Sequence, residues 1–300
     1  MSGAAPIWRS LLFVPAHVEK FVERAHERGA DACILDLEDS VPLACKHAAR
    51  SLVPHAAAAV AARGLDVLVR INTLESGGLA DLEAVVCPAL RAVVLPKVAA
   101  AEHVRVVAAV LEGLERERGL AKGQVGLIAQ IEDVAALPHL DEIASASPRL
   151  LGMSLGPEDF CVSAAMQPTP ETLLWPSQQV AFACRRAGIL PFGFPASIAE
   201  FSDLARLRHA VELARQLGMV GAFCIHPAQV EVLNQAFAPN AAEVEYAEGL
   251  LAELAQAEAE GRGAFAYRGR MVDPPVVARA RETLQRHLAT QRRRESAADH

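Results

Sequence analysis

The chain has 300 residues, a net charge of −7 at neutral pH, and a hydrophobic fraction of 52% with only 5% aromatic residues. An acidic chain without a basic stripe in its body is not expected to bind nucleic acid, and its longest weakly polar stretch, 52–62, is too short to span a membrane. Because the N-terminus has no signal-peptide pattern and the cysteines form no C-x-x-C pair, we expect a cytoplasmic protein with reduced thiols.

Short apolar runs alternate along the chain with longer segments of helical period, an order that predicts a parallel sheet. The predicted strands are 10–14, 32–37, 67–71, 92–95, 125–130, 150–154, 190–194 and 222–225. The predicted helices are 18–28, 46–62, 78–88, 101–118, 137–146, 172–187, 202–217 and 227–237. Eight such units, with no G-x-G-x-x-G after the first strand, favour a (β/α)8 TIM barrel over an open doubly wound sheet.

A tail follows the eighth unit, with a predicted helix over 241–260, a loop over 261–275 and a helix over 276–288. We therefore predict a TIM-barrel catalytic domain at 1–238 and a C-terminal helical extension at 239–290. The remaining residues, 291–300, contain the basic cluster Arg292–Arg294 and are expected to form a disordered tail.

Charged residues follow nearly every predicted strand, whereas the strand interiors are apolar. In a TIM barrel the active site lies at the carboxyl ends of the strands, so this asymmetry indicates one functional rim. The candidate residues at these exits are Pro15, His17, Asp36, Glu38, Asp39, Arg70, Asn72, Lys97, Glu132, Asp133, Gly156, Glu158, Asp159, Pro195, Ser197 and His226.

Several carboxylates at one rim predict a cation between them. Two like charges about 5 Å apart repel by about 3 kcal/mol at an effective dielectric constant of about 20. Arg70 and Lys97 supply positive charge, and a hard dication held by Glu132 and Asp159 on adjacent strands would supply more. This carboxylate set favours Mg²⁺ over Zn²⁺, with Mn²⁺ as an alternative ion.

Structural explanations for the same residues stay open. The acidic group at 36–39 could cap a helix or pair with Lys46. Arg70 and Lys97 could form structural ion pairs, and the acids at 132 and 159 could be helix caps. His226, directly before Pro227, could serve only to fix a loop.

Six runs resemble the citrate lyase β-subunit-like family of the HpcH/HpaI aldolases, in the same order and over roughly residues 8–283. They are RSLLFVP at 9–15, LDLEDSV at 35–41, VRIN at 69–72, LPKV at 95–98, GPEDF at 156–160 and IHPAQV at 225–230. The sequence departs from the family pattern at Asp133, where Thr or Ser is usual.

The resemblance implies a Mg²⁺-dependent TIM-barrel carbon–carbon lyase. Such an enzyme cleaves a 3-hydroxyacyl-CoA ester, for example citryl-, malyl- or citramalyl-CoA, into acetyl-CoA or a related acyl-CoA and a 2-oxo acid, or runs the reverse condensation. It further implies a homotrimer or hexamer in which the tail forms a lid over the neighbouring subunit's site. GRMVDP at 269–274 is similar to the lid motif, and its Asp273 matches the acid–base carboxylate.

The resemblance assigns Glu132 and Asp159 as metal ligands and Arg70 as the residue that binds the substrate carboxylate. The predicted catalytic residues are Arg70, Asp273, Asp36, Glu38 and Lys97. The predicted substrate-binding residues are Arg70, Pro15, Gly156, Pro195 and His226. Two alternatives remain: a CoA-independent pyruvate-type aldolase acting on a 4-hydroxy-2-oxo acid, and a non-catalytic acyl-CoA-binding or assembly subunit.

Overall fold

The computed structural model describes residues 6–260 and 265–298, and its chain divides into two compact units between Phe237 and Ala238. The first unit is built on eight parallel strands. These are β1 (Ser10–Pro15), β2 (Ala32–Asp36), β3 (Asp66–Arg70), β4 (Leu90–Leu95), β5 (Gly126–Ile131), β6 (Leu150–Leu155), β7 (Leu190–Phe192) and β8 (Ala222–Cys224).

The sheet closes into a barrel. Its order is β7-β6-β5-β4-β3-β2-β1-β8, and a parallel bridge between Phe192 and Gly221 joins the two ends. Gly221 is required there, because an added Cβ would overlap the carbonyl oxygen of Trp8. The predicted (β/α)8 barrel is thereby confirmed.

Helices surround the strands in the first unit. They are α1 (Glu19–Glu23), α2 (Lys46–Ala61), α3 (Gly78–Val85), α4 (Ala101–Glu117), α5 (Leu140–Ala144), α6 (Pro157–Ser163), α7 (Pro170–Ala187), α8 (Leu204–Gln216) and α9 (Pro227–Ala236). Strand β2 is buried along its whole length, because helices cover its outer face and barrel side chains fill the inner one. None of the described helices is long and apolar enough to cross a membrane.

Three helical segments of the first unit differ from the sequence prediction. The helix predicted over 18–28 is instead the short α1 followed by a 3₁₀ helix, Ala25–Arg28. Helix α6 was not predicted, although Pro157 at its first position and the acids of its first turn are typical of a helix start. The segment predicted as one helix over 137–146 is instead a 3₁₀ helix, Val134–His139, followed by the short α5. Pro138 explains the break, since it disfavours the α conformation at the residue before it.

The second unit contains α10 (Ala241–Ala259), a hairpin of β9 (Phe265–Tyr267) and β10 (Arg270–Val272), and α11 (Pro274–Ala298). The hairpin lies within the predicted loop, part of which, 261–264, is outside the described residues. Its turn residues, Arg268 and Gly269, both have positive φ, as a tight two-residue turn requires.

Helix α11 is longer than predicted. It runs to Ala298, whereas the sequence prediction ends the helix at 288 and expects a disordered tail over 291–300. No glycine or proline follows Pro275 to end the helix, and alanine, arginine, glutamine and glutamate are strong helix formers. Residues 299 and 300 lie outside the described part of the chain.

Candidate active site

A cavity of about 420 Å³ lies at the carboxyl ends of the barrel strands. Every strand of the barrel except β4 contributes lining residues, from its last positions or from the loop that follows. They are Phe13, Pro15, Asp36, Asp39, Ser40, Arg70, Gln130, Glu132, Ser154, Leu155, Gly156, Pro157, Glu158, Asp159, Gly193, Phe194, Ile198, Phe223 and Ile225.

Arg70 is held in place at the end of β3. Its Nε donates a 2.7 Å hydrogen bond to Oδ1 of the buried Asp36, and its Nη2 donates one of 2.7 Å to Oδ2. Its guanidinium carbon lies 4.6 Å from the centre of the Phe13 ring. Although burial acts to raise the pKa of Asp36, the hydrogen bonds and charge of Arg70 hold this pKa below its ordinary value. Asp36 therefore fixes the orientation of Arg70 as a charged partner.

Glu38 connects Arg70 with Lys97. Its Oε2 lies 2.9 Å from Arg70 Nη1, an ion pair without hydrogen-bond geometry, and its Oε1 accepts a 3.0 Å hydrogen bond from Lys97 Nζ. Burial raises the pKa of Glu38 above its ordinary value despite these two cations. Lys97 Nζ also lies 3.5 Å from Asp159 Oδ2, so one ammonium group connects acids from two strand exits.

Glu132, which directly follows β5, is positioned by backbone atoms. The backbone N–H of Lys97 donates a 2.9 Å hydrogen bond to Glu132 Oε2, and Lys97 adopts a left-handed conformation with φ of 51°. A Cβ added at Gly156 would lie 2.5 Å from Glu132 Cγ and 2.6 Å from Oε1. The strained residue and the glycine therefore fix the carboxylate from two sides.

The acids at this rim suit a divalent cation. Burial, followed by the negative charges of Glu38 and Asp159, raises the pKa of Glu132 to about 7. Within the described residues no group of three or more His, Cys, Asp or Glu side chains is arranged to hold a metal. Two carboxylates, such as those of Glu132 and Asp159, would leave coordination positions of a dication for water or substrate, as Mg²⁺ commonly requires.

The other predicted site residues are distributed differently. Pro15 and Gly156 line the cavity, whereas Pro195 and His226 do not. His226 caps α9 by accepting a 3.2 Å hydrogen bond from the backbone N–H of Ala228, and its ring stacks on Phe201. This geometry matches the loop-fixing explanation for His226.

Asp273 belongs to the second unit. It is exposed, and its Oδ1 accepts a 3.1 Å hydrogen bond from the backbone N–H of Val276 at the start of α11. Asp133, the departure beside Glu132, accepts hydrogen bonds from Ala135 N and Ser163 Oγ and is absent from the cavity lining. Its charge is therefore used to cap the turn that follows β5.

Sequence reasoning did not single out several lining residues. Gln130 and Ser154 are buried and pair in register on β5 and β6, and Gln130 Oε1 has no hydrogen-bond partner in the described chain. The sequence does mark Gln130 and Ser154, because each is a polar residue inside an otherwise apolar strand. Ile198 and Ile225 gave no signal, because an isolated loop isoleucine does not reveal which cavity it faces.

Comparisons with known proteins agree with this architecture. The sequence model of the HpcH/HpaI aldolase/citrate lyase family matches residues 9–227. The chain is 37% identical over 281 residues to citrate lyase subunit beta of Escherichia coli K12, covering 93% of this chain and 92% of that one. It is 34% identical over 300 aligned positions to L-malyl-CoA/beta-methylmalyl-CoA lyase of Cereibacter sphaeroides ATCC 17029, covering 91% and 92%.

Solved structures are similar over nearly the whole chain. Protein CitE from Mycobacterium tuberculosis, in complex with magnesium, acetoacetate and coenzyme A, is 27% identical with a TM-score of 0.72, covering 96% of this chain and 99% of that one. A citrate lyase from Burkholderia xenovorans LB400 has a TM-score of 0.80 at 22% identity, covering 96% and 93%, and supports the fold alone.

Proposed function

Because the chain belongs to the HpcH/HpaI aldolase/citrate lyase family and is a lyase-type enzyme of it, we propose that it cleaves a 3-hydroxyacyl-CoA ester with the help of Mg²⁺. The products are a 2-oxo acid and acetyl-CoA or a related acyl-CoA, and the reverse condensation uses the same site. The observation that carries this proposal is the convergence of Glu132, Asp159 and Arg70 on one cavity. The magnesium and coenzyme A in the CitE complex support it.

Arg70 binds the substrate carboxylate in this proposal. Its Nε–Nη2 edge is occupied by Asp36, so the substrate meets the Nη1 side. On that side Nη1 lies 2.9 Å from Oε2 of the buried Glu38 and makes a longer 3.4 Å contact with the largely exposed Asp39. In this proposal a substrate carboxylate displaces Asp39, whose contact with Nη1 is the longer of the two and whose side chain is 58% exposed.

The proposed reaction begins with removal of the hydroxyl proton by the Asp273 carboxylate of a neighbouring subunit in a homotrimer or hexamer. The oxygen electrons form the new C=O bond as the C–C bond breaks, and the released electron pair passes to the α-carbon of the thioester. Protonation of that carbon gives the acyl-CoA. Lys97 is the cation proposed to face the thioester oxygen. Bound at Glu132 and Asp159, Mg²⁺ would supply a Lewis acid for the substrate oxygens.

The metal assignment is tested with Glu132→Gln and Asp159→Asn, which remove one ligand charge each with little change in shape. We expect each to lower Mg²⁺-dependent kcat/KM by at least about hundredfold, with the far-ultraviolet circular dichroism spectrum unchanged. Asp133→Asn is the matched control, since this neighbouring acid caps a turn outside the cavity, and it should keep the wild-type rate.

Three results would contradict the proposal. Full activity in either ligand variant would remove the metal assignment. Cleavage of a free 4-hydroxy-2-oxo acid in place of any CoA ester would favour the pyruvate-type aldolase. Absence of any thermal stabilisation by Mg²⁺ together with a 2-oxo acid would favour a non-catalytic barrel.

A further inference from the structure

The cavity lining divides into a charged side and an apolar side according to the strand that supplies it. The exits of β2, β3, β5 and β6 supply the charged side, which consists of Asp36, Asp39, Arg70, Glu132, Glu158 and Asp159. The exits of β7, β8 and β1 supply most of the apolar side, namely Phe13, Phe194, Ile198, Phe223 and Ile225, and β6 adds Leu155. A ligand that fills the cavity therefore meets both kinds of surface.

The charged lining residues of the cavity provide a cationic partner for only one carboxylate of the substrate. Arg70 is the only arginine, lysine or histidine among the described lining residues, and the other charged lining groups are carboxylates. Lys97, which adjoins this lining and contacts Glu38 and Asp159, is the cation already assigned to the thioester oxygen in the proposed function. A second carboxylate on the acid portion would face either these acids or an apolar wall, and both positions are unfavourable for an anion.

The apolar wall is a fixed feature of the fold. Gln229 is almost fully buried, and its Oε1 accepts hydrogen bonds from the backbone N–H groups of Ile225 and His226 at 2.9 and 3.1 Å. Its Nε2 donates a 3.0 Å hydrogen bond to the backbone oxygen of Ile198. One buried amide thus connects the loops after β7 and β8.

Glu158 fixes the same wall from the charged side. Its Oε1 accepts hydrogen bonds from Ser197 Oγ at 2.5 Å and from the backbone N–H of Ile198 at 3.1 Å. Ile198 is therefore held through both its N–H and its carbonyl oxygen. A side chain whose backbone is fixed in this way can discriminate between substituents, because the wall does not retreat from a group that fits poorly.

Resting on the proposed function, we propose that the acid portion of the substrate carries a single carboxylate and a short apolar substituent that packs against Ile198 and Ile225. The matching 2-oxo acid is monocarboxylic, such as pyruvate or 2-oxobutyrate. A dicarboxylic acid such as oxaloacetate, which a citryl ester would release, is a poorer substrate, because Arg70 is the only cation among the described lining residues. Ile198 and Ile225 are the residues that determine this specificity.

The test measures condensation of acetyl-CoA or propionyl-CoA with four acids in the presence of Mg²⁺: glyoxylate, pyruvate, 2-oxobutyrate and oxaloacetate. We expect kcat/KM for pyruvate or 2-oxobutyrate to exceed that for glyoxylate and for oxaloacetate by at least about tenfold. The product is identified by mass, because oxaloacetate loses carbon dioxide to form pyruvate in solution. Thermal stabilisation by Mg²⁺ and each acid gives the same order without turnover.

Two variants test whether Ile198 and Ile225 determine the specificity for the 2-oxo acid. Ile198→Ala should reduce the ratio of 2-oxobutyrate to glyoxylate kcat/KM by about tenfold. Its matched control is Ile189→Ala, which deletes the same side chain from another partly buried position, at the other end of the barrel beside the start of β7. Ile225→Arg, at a position exposed by 42%, should raise the relative use of oxaloacetate by about tenfold.

The outcomes separate this inference from the proposed function. Condensation with oxaloacetate as good as with pyruvate overturns the inference and leaves the lyase activity intact. An Ile198→Ala effect confined to the KM of the acyl-CoA also overturns it, because the wall would then bind the pantetheine arm. Failure of all four acids to condense or to stabilise the protein overturns the proposed function, and the inference with it.

Discussion

Glu132 is positioned by the backbone of two neighbouring strand exits: the N–H of Lys97 donates a hydrogen bond to it, and it packs so close to Gly156 that an added Cβ would overlap it. Neither contact depends on a flexible side chain, so the carboxylate is oriented before a metal arrives. Such preorganisation reduces the entropy cost of binding. It also makes the site sensitive to the addition of a single methyl group.

Gly156→Ala should displace the Glu132 carboxylate, since the new Cβ would lie 2.6 Å from Oε1. We expect at least about tenfold weaker Mg²⁺ binding, because even altered support of a metal ligand costs about ten- to hundredfold in affinity. Titration calorimetry with Mg²⁺ measures the change. Gly113→Ala, at a helical glycine with open space around its Cα, is the control and should bind Mg²⁺ normally.

Arg70→Lys tests whether one edge of the guanidinium binds Asp36 while the Nη1 side binds the substrate carboxylate. A lysine ammonium cannot hold both oxygens of Asp36 and still offer a directed donor to the substrate. We expect a higher KM and a lower kcat, with kcat/KM reduced by about ten- to hundredfold, the effect of losing a charge-assisted hydrogen bond. Unchanged steady-state parameters would show that Arg70 does not contact the substrate.

Helix α4 is attached to the start of β6 by a buried ion pair. Glu115 is 1% exposed, and its two oxygens lie 2.7 and 2.6 Å from Arg149 Nη1 and Nη2. The same oxygens accept hydrogen bonds from the backbone N–H groups of Gly123 and Val125. Burial acts to raise the pKa of Glu115, but these hydrogen bonds hold it below its ordinary value.

Glu115→Gln should therefore destabilise the barrel by about 3 kcal/mol at neutral pH, because Arg149 is left buried without a counter-charge. A carboxyl whose pKa is lowered by folding stabilises the protein above its unfolded pKa of about 4.3, and this contribution is lost as the pH falls through the folded pKa. Urea denaturation should thus show a difference from wild type that is full at pH 7 and shrinks in acid.

The matched control for that helix is Glu112→Gln, which breaks the exposed pair between Glu112 and Lys122. It should leave the urea midpoint at pH 7 nearly unchanged. Equal effects of the two variants would show that burial of the Glu115–Arg149 pair contributes nothing to its strength.

In the assembled protein, the proposed reaction uses Glu132 of one subunit and Asp273 of a neighbouring subunit. If Glu132 and Asp273 act together across a subunit boundary, a mixed oligomer of two inactive variants can regain activity. Co-expressed Glu132→Gln and Asp273→Asn chains should then form mixed oligomers in which about a quarter of the sites combine two intact residues.

The control for complementation is co-expression of Glu132→Gln with Asp159→Asn. Both changes lie in the barrel cavity, so no site escapes damage and no activity should return. Recovery of activity in this control, or none with the Asp273 variant, would contradict a shared site. The measurement is kcat per active-site equivalent of the purified mixed oligomer.

Much of the architecture could be predicted from the sequence because its causes are local. Buried strands appear in the sequence as short apolar runs, and helices appear as longer periodic segments, so both can be recognised without the structure. The predicted barrel was confirmed, and the predicted strand bounds lie mostly within two residues of the observed ones. The family resemblance was confirmed as well, because its motifs are short runs at strand ends. The hairpin of β9 and β10 was missed, because strands of three residues give too short a pattern.

The (β/α)8 fold and the rim at which charged residues collect follow from the order of residues along the chain. The folded barrel was needed to show which side chains meet there: Asp36 with Arg70 across 34 positions, Glu132 against Gly156, and two loop isoleucines connected through Gln229. It also decided that Pro195 and His226 lie outside the cavity lining. Periodicity and turn preference act between residues a few positions apart, so they can be recognised in the sequence. These contacts join residues far apart in the sequence, because they depend on the backbone placement and side-chain rotamers that the closed barrel sets.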